Sequence, residues 1–248
     1  MKISYCYSDQ INKNLEKKII KCFEKTFSIH VTKNYFKWKF IKNPFGKSLH
    51  IIVSKKKKII ASRVLWRFDI NNLQAYQCVD TSVLPNYQRL NIFTKTSNIA
   101  SNLLKKKIIY NSPNKKSGPA YKKCGWKQIK NSNKIKINFT YLMIKSAPDI
   151  KWSKKILQWR FENNPINKYY ILRKNNYYYI FSKKKFFFLL VGKTKFKLNL
   201  KNINPFICIS FDNSSKGITI RNRQHWMFKS PIKNINEVQF YSYLFDTT

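Results

Sequence analysis

Residues 75–111 constrain the fold of this chain more than any other stretch. "AYQCVDTSVL" reads as a strand, Pro85 ends it, and the basic turn "NYQRLN" leads into a segment where Ile92, Thr96, Ile99, Ala100, Leu103 and Leu104 recur at helical spacing. "KIIYN" follows as another strand. Two strands joined through a helix lie parallel in one sheet, with the helix covering a face. Plain alternation along the first of them puts Tyr76, Cys78 and Asp80 on one face and Val79 and Val83 on the other.

Around this unit the chain reads as more sheet. Ile11, Leu15, Ile19, Cys22, Phe23 and Phe27 fall three to four apart, which predicts an amphipathic helix over 11–27. The turn signal Asn43-Pro44-Phe45-Gly46 precedes two apolar runs, "LHIIVS" and "IIASRVLWRF", and the lysines between them, Lys55 to Lys58, read as a solvated hairpin turn. Lys183 to Lys185 reads the same way. "SGPAYKKCGW" predicts a short helix with Pro119 in its first turn and Gly125 as its stop, followed by strands through "QIKNSNKIKINFTYLMI". "SAPDIKWSKK" then reads as a junction dividing residues 1–146 from 147–248.

The second part echoes the first. "WKFIKNPF" at 38–45 returns as "WRFENNPI" at 159–166, an offset of 121 that lays Ile59 on Ile180 and predicts a shared register through the following hairpin. No second strand, turn and helix unit follows. The expected fold class is α/β (α+β): a mixed central sheet with flanking helices, then a related, mostly β half.

Of the 248 residues, 50 are Lys or Arg and 10 are Asp or Glu, a formal charge of +40. Alone, that balance nominates a polyanion as partner. Abundant Lys, Asn, Ile, Phe and Tyr beside only 5 Gly and 8 Pro are also the image of an A/T-rich coding sequence, which accounts for the charge without any partner. Hydrophobic residues at 43% exclude a disordered chain. Cys6, Cys22, Cys78, Cys124 and Cys208 are widely spaced with no C-x-x-C pair, so neither a disulfide framework nor a zinc site is signalled, and a reducing cytoplasm suits them. His30, His50 and His225 fall in no metal-ligand spacing. The longest apolar run, "FFFLLV", is too short to span a bilayer and the first residues lack an apolar leader core, so a soluble chain is expected.

In order and content, the helix, hairpin, strand with "VLPNYQRLNIF", helix, strand and "PAYKKCGW" resemble the GNAT acyltransferase superfamily over roughly residues 1–145, and the echo makes the whole chain similar to tandem-GNAT proteins. The family's coenzyme loop runs Val-x-Pro-x-Tyr-Arg-Gly-x-Gly before a helix. Here Val83, Pro85 and Tyr87 match, Gln88 stands where the family has Gln or Arg, and Arg89 and Asn91 stand where it has glycines. Glycine suits such a loop because the backbone N–H groups must converge on a pyrophosphate at positive φ, and Asn is the side chain that tolerates that angle best. The resemblance implies acetyl-CoA or another acyl-CoA as co-substrate and no metal. It places Val83, Gln88, Arg89, Leu90, Asn91, Ile92, Phe93, Thr94 and Asn114 around the coenzyme, in a domain formed by 1–146, with 147–248 shaping the acceptor site.

The resemblance also implies Tyr121, four residues before Gly125 and Trp126, as the acid that protonates the departing thiolate. Asp80, on the strand before the loop, is the carboxylate that would serve as base. A strand-end Asp bonded to nearby backbone is the bland alternative. Cys78 has no identifiable His or Asn partner and reads as a buried thiol. The expected reaction is N-acyl transfer, in the first instance N-acetyl transfer, to the amine of a small molecule such as an amino sugar or amino acid held between the halves. Two alternatives stay open at this point: an aminoacyl-tRNA donor, as in some tandem-GNAT proteins, and a non-catalytic nucleic-acid-binding protein.

Overall fold

Asn12 opens the first helix by accepting the Leu15 N–H at 2.9 Å. Helix α1 (Lys13–Phe27) then buries Ile19, Ile20 and Cys22, and Ser28 closes it in the left-handed conformation. This computed structural model describes residues 1–70, 73–115, 117–130, 135–138, 140–144, 147–211, 218–220 and 225–229. They form two compact units: the first holds Met1–Lys130 and the strand His225–Lys229, the second the described residues between Ile135 and Ile220. The chain therefore leaves the first unit after Lys130 and returns to it at His225, where a single junction at 146/147 was expected. Among the described residues no helix is long and apolar enough to cross a membrane, and all five cysteines are free.

In the first unit, β1 (Lys2–Tyr7), a strand the sequence pattern did not reveal, lies antiparallel to β2 (Leu49–Lys55). Strand β2 turns through Lys56 and Lys57 into β3 (Lys58–Arg67). Both turn lysines have positive φ, 46° and 63°, which matches the twist of a two-residue hairpin. Before this hairpin, α2 (Lys33–Phe36), capped by Thr32, runs into a π-helical turn, Lys37–Ile41. Strand β4 (Ala75–Val83) is antiparallel to β3, and α3 (Ile92–Leu103) carries the chain to β5 (Ile108–Asn111), parallel to β4, as the sequence predicts. The short helix α4 (Gly118–Lys123) has Pro119 in its first turn, and Gly125 at φ 76° ends the segment. Among the described residues strand β6 (Lys127–Lys130) reaches the sheet through the return strand β14 (His225–Lys229), giving the order β1-β2-β3-β4-β5-β14-β6.

The second unit contains β7 (Ile135–Asn138), α5 (Lys154–Leu157) with its own π-helical turn at Gln158–Glu162, then β8 (Tyr169–Lys174), β9 (Tyr177–Lys183), β10 (Phe188–Thr194), β11 (Lys201–Asn202), β12 (Cys208–Phe211) and β13 (Ile218–Ile220). Its sheet runs β11-β8-β9-β10-β12-β7-β13, and β14 (His225–Lys229) belongs to the first sheet. The helical turn repeats at the expected offset, with Ser153 capping α5 as Thr32 caps α2. The hairpin does not keep that register. Its tip is Asn175-Asn176 against Lys56-Lys57, because two residues have gone between turn and tip, so Ile59 and Ile180 are not equivalent. Between β10 and the parallel β12 there is no helix.

One face of the first sheet buries Leu49, Leu65, Cys78, Ile109, Tyr121 and Trp126 with α3 and α4. On the β2 strand His50 is fully buried against the rings of Phe36 and Phe40, at 6.1 and 5.0 Å, and neither ring nitrogen has a partner. Burial lowers its pKa to about 3, so it is held neutral.

Candidate active site

The turn after β4 keeps a glycine backbone without glycines. The Val83 carbonyl accepts Gln88 Nε2 at 3.2 Å, and Pro85–Tyr87 form one 3-10 turn. The chain then takes left-handed steps at Arg89 (φ 63°) and Asn91 (φ 57°) before α3 begins. These are the two positions where glycine is expected. A non-glycine residue held there costs about 1–2 kcal/mol, least for Asn. The N–H groups of the first turn of α3 have no acceptor within the helix and sit at its positive end. Gln88, Arg89, Leu90 and Asn91 are exposed, Ile92 is buried as an anchor, and Phe93 and Thr94 are half-buried. Backbone of this kind ahead of a helix is the arrangement in which an anion can be held.

Strand β4 carries a bulge that re-aims Asp80. Val64 pairs with Val79 and Ser62 with Ser82, so two residues of β4 oppose Arg63 alone, and Asp80 takes φ 48°. The extra residue moves Asp80 off the face of Cys78, correcting the alternation read from sequence. Cys78 joins Tyr121 and Trp126 in the core. Asp80 lines a narrow, largely apolar pocket on the opposite face, with Tyr35, Ser62 and Ser82 as its other polar groups. Both Asp80 oxygens accept from Lys39 Nζ, at 3.0 and 3.1 Å. Lys39 lies on the π-helical turn with only 3% of its side chain exposed, and also donates to Tyr35 Oη at 3.1 Å. Burial would drag its pKa down, but the charge of Asp80 and the contact with Tyr35 outweigh it, and the net shift is upward. Lys39 is therefore held charged beside Asp80. Asp80 still has unused lone pairs toward the pocket, with 23% of its side chain exposed.

The third element is a fork in the sheet. Strands β4 and β5 pair only at Ala75, Tyr76 and Gln77 with Ile108, Ile109 and Tyr110. Beyond these the strands part, and β4 from Cys78 to Val83 has no strand on that edge among the described residues. The Tyr121 hydroxyl sits at the split, sharing hydrogen bonds with Cys78 and Asn111. Its ring packs edge-on to Phe93 and Trp126, at 5.0 and 4.7 Å. Burial first, then Cys78, pushes its pKa well above the ordinary phenol range, against the pull of Arg63 and Asn111. Such a phenol holds its proton through the neutral range and is a hydrogen-bond donor and a reluctant acid. Burial likewise pushes the Cys78 thiol up, so it is no nucleophile. Asn114 is exposed, and its side-chain oxygen accepts from the Ser117 N–H at 2.9 Å and hydroxyl at 3.0 Å, ahead of α4.

Loop, bulge and fork thus lie along one strand, β4. Sequence reasoning missed Lys39, Tyr35, Ser62 and Arg63. A signal for Lys39 was present in the echo, since Lys39 and Arg160 hold the same place in "WKF" and "WRF" and both are buried.

No protein-family model matches the chain, and no curated protein matches it. Solved structures do. A conserved protein of Enterococcus faecalis V583 described as a probable N-acyltransferase superposes with a TM-score of 0.58 at 11% identity, over 93% of this chain and 73% of that one. An acyl-CoA N-acyltransferase of Pseudomonas aeruginosa matches at TM-score 0.41 and 10% identity over 53% and 90%. The ribosomal-protein-S18-alanine N-acetyltransferase of Escherichia coli matches at 0.38 and 10% over 56% and 83%. The mixed sheet with its flanking helices has the fold of that probable N-acyltransferase, in line with the GNAT-like fold expected from the sequence.

Proposed function

We propose that this GNAT-fold chain is an N-acyltransferase that moves an acyl group from acyl-CoA to the amine of a small molecule. The observation that carries the reading is the left-handed backbone of Arg89 and Asn91 ahead of α3. The pyrophosphate would rest on the amides from Arg89 to Thr94, with Val83 and Gln88 at the strand end and Asn114 beside the arm of the coenzyme. The thioester would enter the fork, and the amine would reach it from the pocket floored by Asp80. Among the described residues that pocket is lined by residues of the first unit, and the acceptor would bind there.

In the reaction, the nitrogen lone pair attacks the thioester carbonyl and a C–N bond forms. The N–H near Val83 steadies the oxyanion, and Asp80, or a water it holds, takes the amine proton. The C–S bond then breaks and Tyr121 protonates the thiolate, regaining its proton from solvent. The products are the amide and free CoA. The +40 charge and the missing loop glycines both favour an aminoacyl-tRNA donor; the left-handed backbone at Arg89 and Asn91 answers the second of these.

Calorimetric titration with acetyl-CoA tests the reading. We expect micromolar binding, weakened roughly 100-fold in Asn91→Asp, which sets a negative charge at the helix N-terminus. Unchanged affinity in that variant would sink the loop assignment. Tyr121→Phe should lower kcat about 100-fold with little change in coenzyme affinity; full turnover would remove Tyr121 from the mechanism.

A further inference from the structure

Among the described residues Arg63 is a cation without a counter-ion. It projects from β3 into the α3 side of the sheet and is 1% exposed. Its Nε donates to Thr96 Oγ1 at 3.2 Å, and Nη1 reaches Cys78 Sγ, a weak acceptor, at 3.9 Å. Its guanidinium carbon lies 4.3 Å from the Phe93 ring centre and 5.7 Å from that of Tyr121. Nη2 has no partner. Among the described residues, Lys39 and Arg67 each have a carboxylate and Arg63 has none. Rings and a thiol compensate a desolvated guanidinium poorly, and the positive end of α3, one turn from Thr96, adds to the cost.

The position of that cation is informative. Cys78 is the first β4 residue past the last pair with β5, and Tyr121 shares hydrogen bonds with Cys78 and Asn111 across the split. Arg63 therefore stands under the fork. The coenzyme phosphates would meet the exposed loop and not this buried group. A departing thiolate carries its charge only after reaction, whereas a permanent buried cation is matched by a permanent anion in the bound state. We propose that the acyl group delivered into the fork carries a carboxylate, as in the malonyl and succinyl class of CoA esters, and that Arg63 is the residue that pairs with it. The inference rests on the coenzyme reading above and adds the chemistry of the acyl group.

Succinyl-CoA and butyryl-CoA differ by a carboxylate in place of a methyl at similar length, so calorimetry of the full chain with each isolates the charge. We expect succinyl-CoA to bind roughly 100-fold more tightly, the scale of a buried charge pair. In Arg63→Met the two esters should bind alike, and Arg63→Lys should restore part of the preference. Equal affinities in the unsubstituted chain overturn the inference while leaving the coenzyme reading standing. A preference that persists in Arg63→Met overturns it too. If no CoA ester binds, both readings fall. Should Arg63→Met not fold, the ratio in the unsubstituted chain and in Arg63→Lys still decides.

Discussion

The two sheets each contain a fork between parallel strands, and among the described residues only one is free. In the first unit β4 and β5 separate after Gln77 and Tyr110, and Tyr121 and Arg63 converge on the gap. In the second unit β10 and β12 pair at Phe188 and Leu189. Farther along β10 the chain itself fills the place. Lys193 donates to the Pro148 carbonyl and its own carbonyl accepts from the Ile150 N–H, both at 2.8 Å. Gly192 permits this approach, since a Cβ there would stand 2.7 Å from Ile150 Cγ1 and 2.9 Å from the Pro148 oxygen. The same architecture can thus offer a slot or plug it, and the loop and helix that would hold a coenzyme accompany only the open one.

Three changes test this contrast. The largest concerns acid. His50 packs edge-on to Phe40 in the first unit, and in the second Tyr169 packs in the same way on Phe161. The folded pKa of His50, about 3, lies below the ordinary 6.5. Its contribution is therefore present above about pH 6.5 and is lost as pH falls toward about 3, roughly 3 kcal/mol by about pH 4.5. Hydrogen exchange should show the first sheet loosening before the second on acidification, and His50→Phe should remove the difference; equal loosening would count against it. Next, Gly192→Ala should destabilise the second unit by about 2 kcal/mol through overcrowding, read by thermal melting, while coenzyme affinity is untouched. A weakened coenzyme site would mean that the plug serves both units. Smallest, Arg89→Gly should stabilise the chain by about 1 kcal/mol by relieving the left-handed step. A loss of stability there would show that the Arg89 side chain holds the loop.

What the sequence made legible follows from local chemistry. The βαβ unit was readable because Ile92, Thr96, Ala100 and Leu104 repeat while β4 and β5 are short and apolar. The loop was readable from Val83, Pro85 and Tyr87. The bulge was not, since one unpaired residue leaves no compositional mark, yet it decided the face of Asp80. Lys39 was hidden among the 50 cations, 41 positions from its partner. Arg63 sat in the apolar run "IIASRVLWRF", where an arginine looks like an interruption. "SAPDI" read as a linker because nothing local shows that Pro148 to Ile150 will take a strand's place.

The return of β14 between β5 and β6 sets a timetable for synthesis. On the ribosome β5 and β6 emerge early, but the strand that joins them leaves the tunnel only after the whole second sheet has been translated. Until then both carry an unpaired edge, a template for pairing with a neighbouring nascent chain. The first unit can be threaded from residue 1 but not finished there, and a truncation anywhere before His225 leaves its sheet open on the side that holds Tyr110 and Asn111.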